Sequence, residues 1–219
     1  MKYLYHHLGL GDHIICNGLV RSLVTTEDYY RLIVKEQNLG TVQFMYRDLK
    51  NLECVPVRND LEANYLLSRV DPNRMNTYMI GFSINPNIKW DELFYQQMGI
   101  PFEYRWSKFY LERDHDSEIQ LYQKLNPNDE KFVLIHNFGS GPRRFNSDYP
   151  KNDLKKIFVE KITDNMFDFL TLVEKSEEIH CVESSFQCLV DSLNLNKKLY
   201  YHLHDVLASP NQRSSWIVV

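Results

Sequence analysis

Only eight glycines occur in this chain of 219 residues, and four of them, Gly9, Gly11, Gly139 and Gly141, fall in two loops that each follow a short apolar run. The first run, residues 2–5, breaks at Leu8-Gly9-Leu10-Gly11-Asp12. The second, Phe132–His136, breaks at Asn137-Phe138-Gly139-Ser140-Gly141-Pro142-Arg143-Arg144. An apolar strand, a small-residue loop and a helix in succession open a βα unit. A chain that opens twice in this way predicts two parallel sheets.

The segments between the loops fit that reading. Ile14, Ile15, Leu19, Val20, Leu23 and Val24 recur at helical spacing. Leu32–Val34 then reads as a strand, Val42–Leu49 as a helix, Cys54–Val57 as a strand, and Leu61–Val70 as a helix stopped before Pro72. Tyr78–Phe82 adds a strand, and Trp90–Met98 a helix closed by Gly99 and Pro101. The most polar long stretch begins at Arg113, with a helix over Ser117–Leu125, and sets a boundary between residues 1–112 and 113–219. Beyond it, Leu154–Val159 and Phe167–Val173 are each open between helix and strand. Ile179–Val182 reads as a strand, Ser184–Leu193 as a helix, and Leu199–Leu203 as a last strand before a polar tail. Such alternation predicts an α/β fold whose sheets are covered by helices on both faces, with ligands at the carboxyl ends of the strands.

Charge narrows the function. Twenty-five Lys and Arg against 29 Asp and Glu leave a net charge of −4, which argues against a nucleic-acid or anionic-lipid binder held by a basic surface. No stretch approaches the roughly 18 apolar residues of a transmembrane segment, and no secretory leader is visible. Cys16, Cys54, Cys181 and Cys188 are scattered, as expected of free thiols in a reducing compartment. A cytoplasmic protein is expected.

Several residues could carry chemistry. Gly9 and Gly11 let the backbone approach a ligand, and the helix behind them offers N–H groups to an anion or a sugar hydroxyl. Asp12 is either the N-cap of that helix or a functional carboxylate. His13, Asn17 and Arg21 follow at intervals of four and share one face, turned to solvent or to a cleft. His6 and His7 would point to opposite sides of the strand, so one of them at most faces a cleft. In the second loop, Gly139, Ser140 and Gly141 precede Arg143 and Arg144, fixed cations suited to phosphate. Glu183, Ser184 and Ser185 run from a strand into a helix, where Ser184 could be a plain N-cap and Glu183 could accept from sugar hydroxyls. His202 and His204 could ligate a metal, but no third ligand is spaced to help, so no metal is expected.

Taken together, Gly9-Leu10-Gly11-Asp12, the central strand with its basic loop, and Glu183-Ser184-Ser185 resemble GT-B-type glycosyltransferases, especially the ADP-heptose:lipopolysaccharide heptosyltransferase group. The resemblance implies two small Rossmann-like domains facing across a cleft, an acceptor-side domain over 1–112 and a nucleotide-sugar donor domain over 113–219. It implies Asp12 as general base, with Gly9, Gly11, His13, Asn17 and Arg21 on the acceptor substrate. Donor binding would fall to Gly139, Ser140, Arg143, Arg144, Glu183, Ser184 and Ser185. Glu183-Ser184-Ser185 corresponds in position to the family's Asp-Thr-Gly, although its glycine is missing here. The implied reaction moves a sugar from a nucleotide-sugar to an acceptor hydroxyl on a glycan or other molecule, with inversion, no metal and no further cofactor. The alternatives are a catalytically silent nucleotide- or sugar-binding module, and a sugar-nucleotide epimerase or hydrolase.

Overall fold

The computed structural model of the protein describes residues 1–139, 145–146, 148–202, 209–213 and 216–219. The chain divides into two compact units, Met1–Glu112 and Arg113–Val219.

The first unit contains β1 (Lys2–Tyr5), α1 (Leu10–Ile15), α2 (Asn17–Leu23), β2 (Tyr30–Lys35), α3 (Leu39–Met45) and β3 (Leu52–Val57). It continues with α4 (Asp60–Val70), β4 (Thr77–Met79), α5 (Trp90–Gln97) and α6 (Tyr104–Ser107). The strands pair in parallel in the order β3-β2-β1-β4. Leu4 sits opposite Leu32 on one side and Tyr78 on the other. Side chains alternate across the sheet. On one face, Tyr3, Tyr5, Ile33 and Val57 pack on Ala63 and Leu67 of α4. That helix starts at a cap, where the Asn59 side chain accepts from the Glu62 N–H at 3.0 Å. Helix α5 ends as its sequence predicts, with Gly99 at φ +64° in the left-handed region.

Two features depart from the sequence expectation. The first helix is interrupted at Cys16, which ends α1 and caps α2. Helix α6 carried no periodic signal, yet it holds a fully buried arginine, Arg105, paired with the equally buried Asp91 of α5. At Gly18, α2 crosses so close to α6 that a Cβ would lie 1.9 Å from the Tyr104 carbonyl oxygen.

The second unit contains α7 (His115–Leu125), β5 (Phe132–His136), β6 (Lys155–Phe158), α8 (Leu170–Lys175), β7 (Glu178–Val182), α9 (Ser185–Ser192), β8 (Lys198–His202) and β9 (Trp216–Val218). Its parallel order is β6-β5-β7-β8-β9. All five residues of β5 are buried, as a strand covered on both faces requires. The open assignments resolve: Leu154–Val159 holds strand β6, and Phe167–Val173 lies in a 3₁₀ turn over Met166–Phe169 running into α8. The tail read only as polar returns to the sheet as β9, tied by a Trp216 indole N–H that donates to Asp191 at 2.9 Å.

In each sheet the chain winds outward one way from its first strand and then turns back. The order therefore reverses between β1 and β4 in the first unit, and between β5 and β7 in the second. Parallel α/β sheets bind ligands at such points, outside the carboxyl ends of the strands.

Candidate functional site

In the first unit the reversal point holds a pocket of about 210 Å³. The chain leaving β1 contributes His7 and Asp12, the chain leaving β4 contributes Gly81 and Ser83, and α5 closes the wall with Trp90, Leu93 and Phe94. Of the adjacent histidines, His6 is fully buried and His7 is exposed at the pocket, so the two diverge as an alternating backbone requires.

His7 is held on three sides. Its Nε2 lies 2.9 Å from the Gly81 carbonyl, which can only accept, so the proton is on Nε2. Phe82 and Phe94 flank the imidazole at centroid distances of 5.1 and 5.7 Å. Gly81, at φ +88°, is required here: a Cβ would lie 2.3 Å from Phe94 and 3.0 Å from His7. Its N–H donates to the Gln97 side chain at 2.6 Å, and Gln97 in turn bonds Ser83.

Asp12 is not the N-cap of its helix. Gly9 takes that position, and Asp12 is the third residue of α1. Its carboxylate folds back over Gly9, where a Cβ would meet Oδ2 at 2.4 Å. Desolvation pushes the Asp12 carboxyl up to about 6, while His7 and the backbone amides of residues 9 and 12 pull the other way. A carboxylate already over this loop repels a second anion, which leaves a hydroxyl as the fitting ligand for the Gly9–Gly11 turn. Gly11 is the second residue of the helix.

The polar stripe at intervals of four serves the interior. His13 is buried against His6, ring centroids 4.3 Å apart, and burial holds its pKa well below the ordinary value. Asn17 is buried and clasps the backbone of Tyr110, accepting from its N–H at 3.0 Å and donating to its carbonyl at 3.2 Å. Arg21 donates to both oxygens of Asp48, at 2.7 and 2.9 Å, and to the carbonyls of Met45 and Tyr110. Asn17 and Arg21 thus meet the segment following α6 while His13 packs on His6, and none of the three lines the pocket.

In the second unit, the reversal point gathers His136 at the end of β5 and Glu183 and Ser184 after β7. Ser184 caps α9, its Oγ accepting from the Gln187 N–H at 3.2 Å and donating to the Val182 carbonyl at 3.0 Å. His136 Nδ1 meets the same oxygen at 3.1 Å and joins the two strand ends. The His136 ring lies between Phe186 and the exposed Phe138, and burial pushes its pKa down to about 4. Ser185 opens α9, Glu183 is half-buried, and Gly139 is half-buried three residues past β5. Ser140, Arg143 and Arg144 lie outside the described residues, as does His204. His202, the other half of the spaced histidine pair, is engaged at both nitrogens: Nδ1 accepts from the Asn146 N–H and Nε2 faces His180 Nδ1, each at 3.1 Å.

Sequence reasoning singled out Asp12 and considered His7, but it missed Gly81, Ser83, Trp90, Leu93 and Phe94. The available signal was Gly81, one of the chain's eight glycines, within the segment Tyr78–Phe82 read as strand.

No protein-family model matches the sequence, and no curated protein matches it. Similarity appears among solved structures. A glycosyl transferase of family 9 from Veillonella parvula superposes with a TM-score of 0.63 at 12% identity, over 100% of this chain and 86% of that one. The ADP-heptose LPS heptosyltransferase II of E. coli superposes with a TM-score of 0.54 at 10% identity, over 100% of this chain and 90% of that one. No helix among the described residues is long and apolar enough to cross a membrane. With its two parallel α/β sheets, each reversing beside its first strand, the chain has the fold of these glycosyltransferases.

Proposed function

We propose that the protein is a glycosyltransferase that moves a sugar from a nucleotide-sugar to an acceptor hydroxyl activated by Asp12. The observation that carries this reading is Asp12 itself, a desolvated carboxylate whose pKa is raised to about 6 and which lines a pocket at the reversal point of its sheet. A base with a pKa near the working pH is the effective one, ionised yet still basic enough to take the proton. The neighbouring structures named as glycosyltransferases support the reaction class.

In this reading residues 1–112 receive the acceptor and 113–219 the donor. Asp12 removes the hydroxyl proton as the oxygen attacks the anomeric carbon, and the nucleoside diphosphate departs from the opposite face with inversion. Negative charge grows on the diphosphate as it leaves. Arg143 or Arg144 and the start of α9 at Ser184–Ser185 meet that charge, so the reaction needs no metal. Glu183 accepts from hydroxyls of the donor. The four cysteines are free thiols, which fits a reducing compartment such as the cytoplasm.

The test is release of nucleoside diphosphate from a panel of nucleotide-sugars, with Asp12→Asn as the control. Loss of the base lowers turnover by about 10²–10⁴-fold. A folded Asp12→Asn protein with wild-type turnover overturns the assignment. Binding of the donor by the wild type with no turnover on any acceptor would support a silent binding module instead.

A further inference from the structure

The wall chemistry of the pocket beside Asp12 restricts what can occupy it. Part of the lining is aromatic: Trp90 and Phe94 meet edge to face at a centroid distance of 5.3 Å, and Phe94 continues onto His7. The lining also includes the Asp12 carboxylate and Ser83, whose hydroxyl pairs with Gln97. A pyranose has the matching mixture. One face presents C–H bonds, which pack on the negative face of an aromatic ring, and the rim presents hydroxyls. At about 210 Å³ the space is large enough for one sugar ring.

Charge decides which sugar. No lysine or arginine lines the pocket among the described residues, and His7 already donates its Nε2–H to Gly81. Burial has raised the Asp12 pKa. A second carboxylate or a phosphate beside it would favour the protonated form further and remove the base the reaction needs.

We propose that this pocket is an acceptor subsite for a single uncharged pyranose ring, packed on Trp90 through its C–H face and directed to Asp12 by a hydroxyl. The inference rests on the transferase reading for the word acceptor, and on the pocket alone for the ligand class. Trp90 is then the residue that selects for a sugar ring, and Asp12 the residue that selects against negative charge.

The experiment is saturation-transfer NMR on the full chain at neutral pH, using methyl glycosides of a neutral hexose, a hexuronic acid and a hexose 6-phosphate. The neutral glycoside receives saturation most strongly on its ring C–H positions and binds at least about tenfold more tightly than either anionic one. Trp90→Ala weakens the neutral glycoside at least about tenfold, Trp90→Tyr retains binding, and Asp12→Asn closes the gap between the neutral and uronic glycosides. An anionic glycoside that binds as well as the neutral one, or no binding by any of the three, overturns the inference. The wild-type comparison decides this even if Trp90→Ala does not fold. Trp90-dependent binding of neutral glycosides without any transfer leaves the subsite standing and sinks the transferase reading. Transfer only to anionic acceptors does the reverse.

Discussion

The carboxylate of Asp12 lies against the α-carbon of Gly9, with room there for a hydrogen and none for a methyl group: a Cβ at Gly9 would sit 2.4 Å from Oδ2. The Gly9 backbone, at φ −68° and ψ 143°, is open to any residue. Gly9→Ala therefore displaces the carboxylate without straining the chain. Stability should fall by about 1 kcal/mol, since alanine is a poorer N-cap than glycine, while kcat/KM falls about 10–100-fold from misplacement of the base. A thermal melt beside a diphosphate-release assay checks both, and an unchanged kcat/KM would show that this position of Asp12 is irrelevant to turnover.

The raised pKa of Asp12 sets a pH dependence with two signs. Activity needs the ionised form, so kcat/KM should climb through an apparent pKa of about 6. Stability runs the other way. The folded pKa lies above the ordinary carboxylate value, so ionisation costs the native state as pH rises from about 4 to about 6. Asp12→Asn should melt higher than wild type at pH 8, by up to about 3 kcal/mol, with the gain disappearing below about pH 4. Melting curves across that range measure it; a gain that persists into acid would contradict burial as its source.

The buried imidazoles give the opposite slope. Burial lowers His6 to about 4 and His13 well below its ordinary value in the first unit, and His136 and His202 to about 4 in the second. Unfolded histidines take up protons below about pH 6.5 while these do not, so stability is full above that pH and drains as it falls toward about 4. At pH 5 the loss from His6 alone is about 2 kcal/mol. Urea titrations at pH 7 and pH 5 should differ accordingly, and His13→Leu should flatten the dependence; equal midpoints at the two pH values would refute it.

The pair between Asp91 and Arg105 has both partners fully buried. Asp91→Ala strands a guanidinium in the interior and should cost about 3–5 kcal/mol, whereas replacing both residues with apolar side chains of similar volume should cost much less. Denaturant midpoints of the single and double variants separate these outcomes.

How far the fold could be read from the chain follows from which signals are local. Strands β1 and β5 stand out because three or four apolar residues are followed within four residues by glycine, and α4 and α7 because their periodicity and their caps lie within one turn. Helix α6 and strand β9 are short, and each is held by a distant partner, Asp91 for one and Asp191 for the other. Nothing within four or three residues could announce them. The candidate site divides in the same way. Asp12 is legible beside its glycines, whereas Trp90 and Phe94 read as ordinary helix residues until β4 brings their wall to the end of β1. The stripe of His13, Asn17 and Arg21 stayed open between solvent and cleft because polarity at helical spacing is the same whether a face meets water, a cleft or a backbone segment such as that at Tyr110.

Strand β1 precedes the other strands of its sheet in the chain and sits in the middle of it, between β2 and β4. A ribosome therefore delivers the centrepiece before either flank exists, and one edge of it stays unpaired until residue 79 has emerged. The four residues of β1 thus join the two sides of the first unit's sheet, and losing so short a segment would divide that sheet in two.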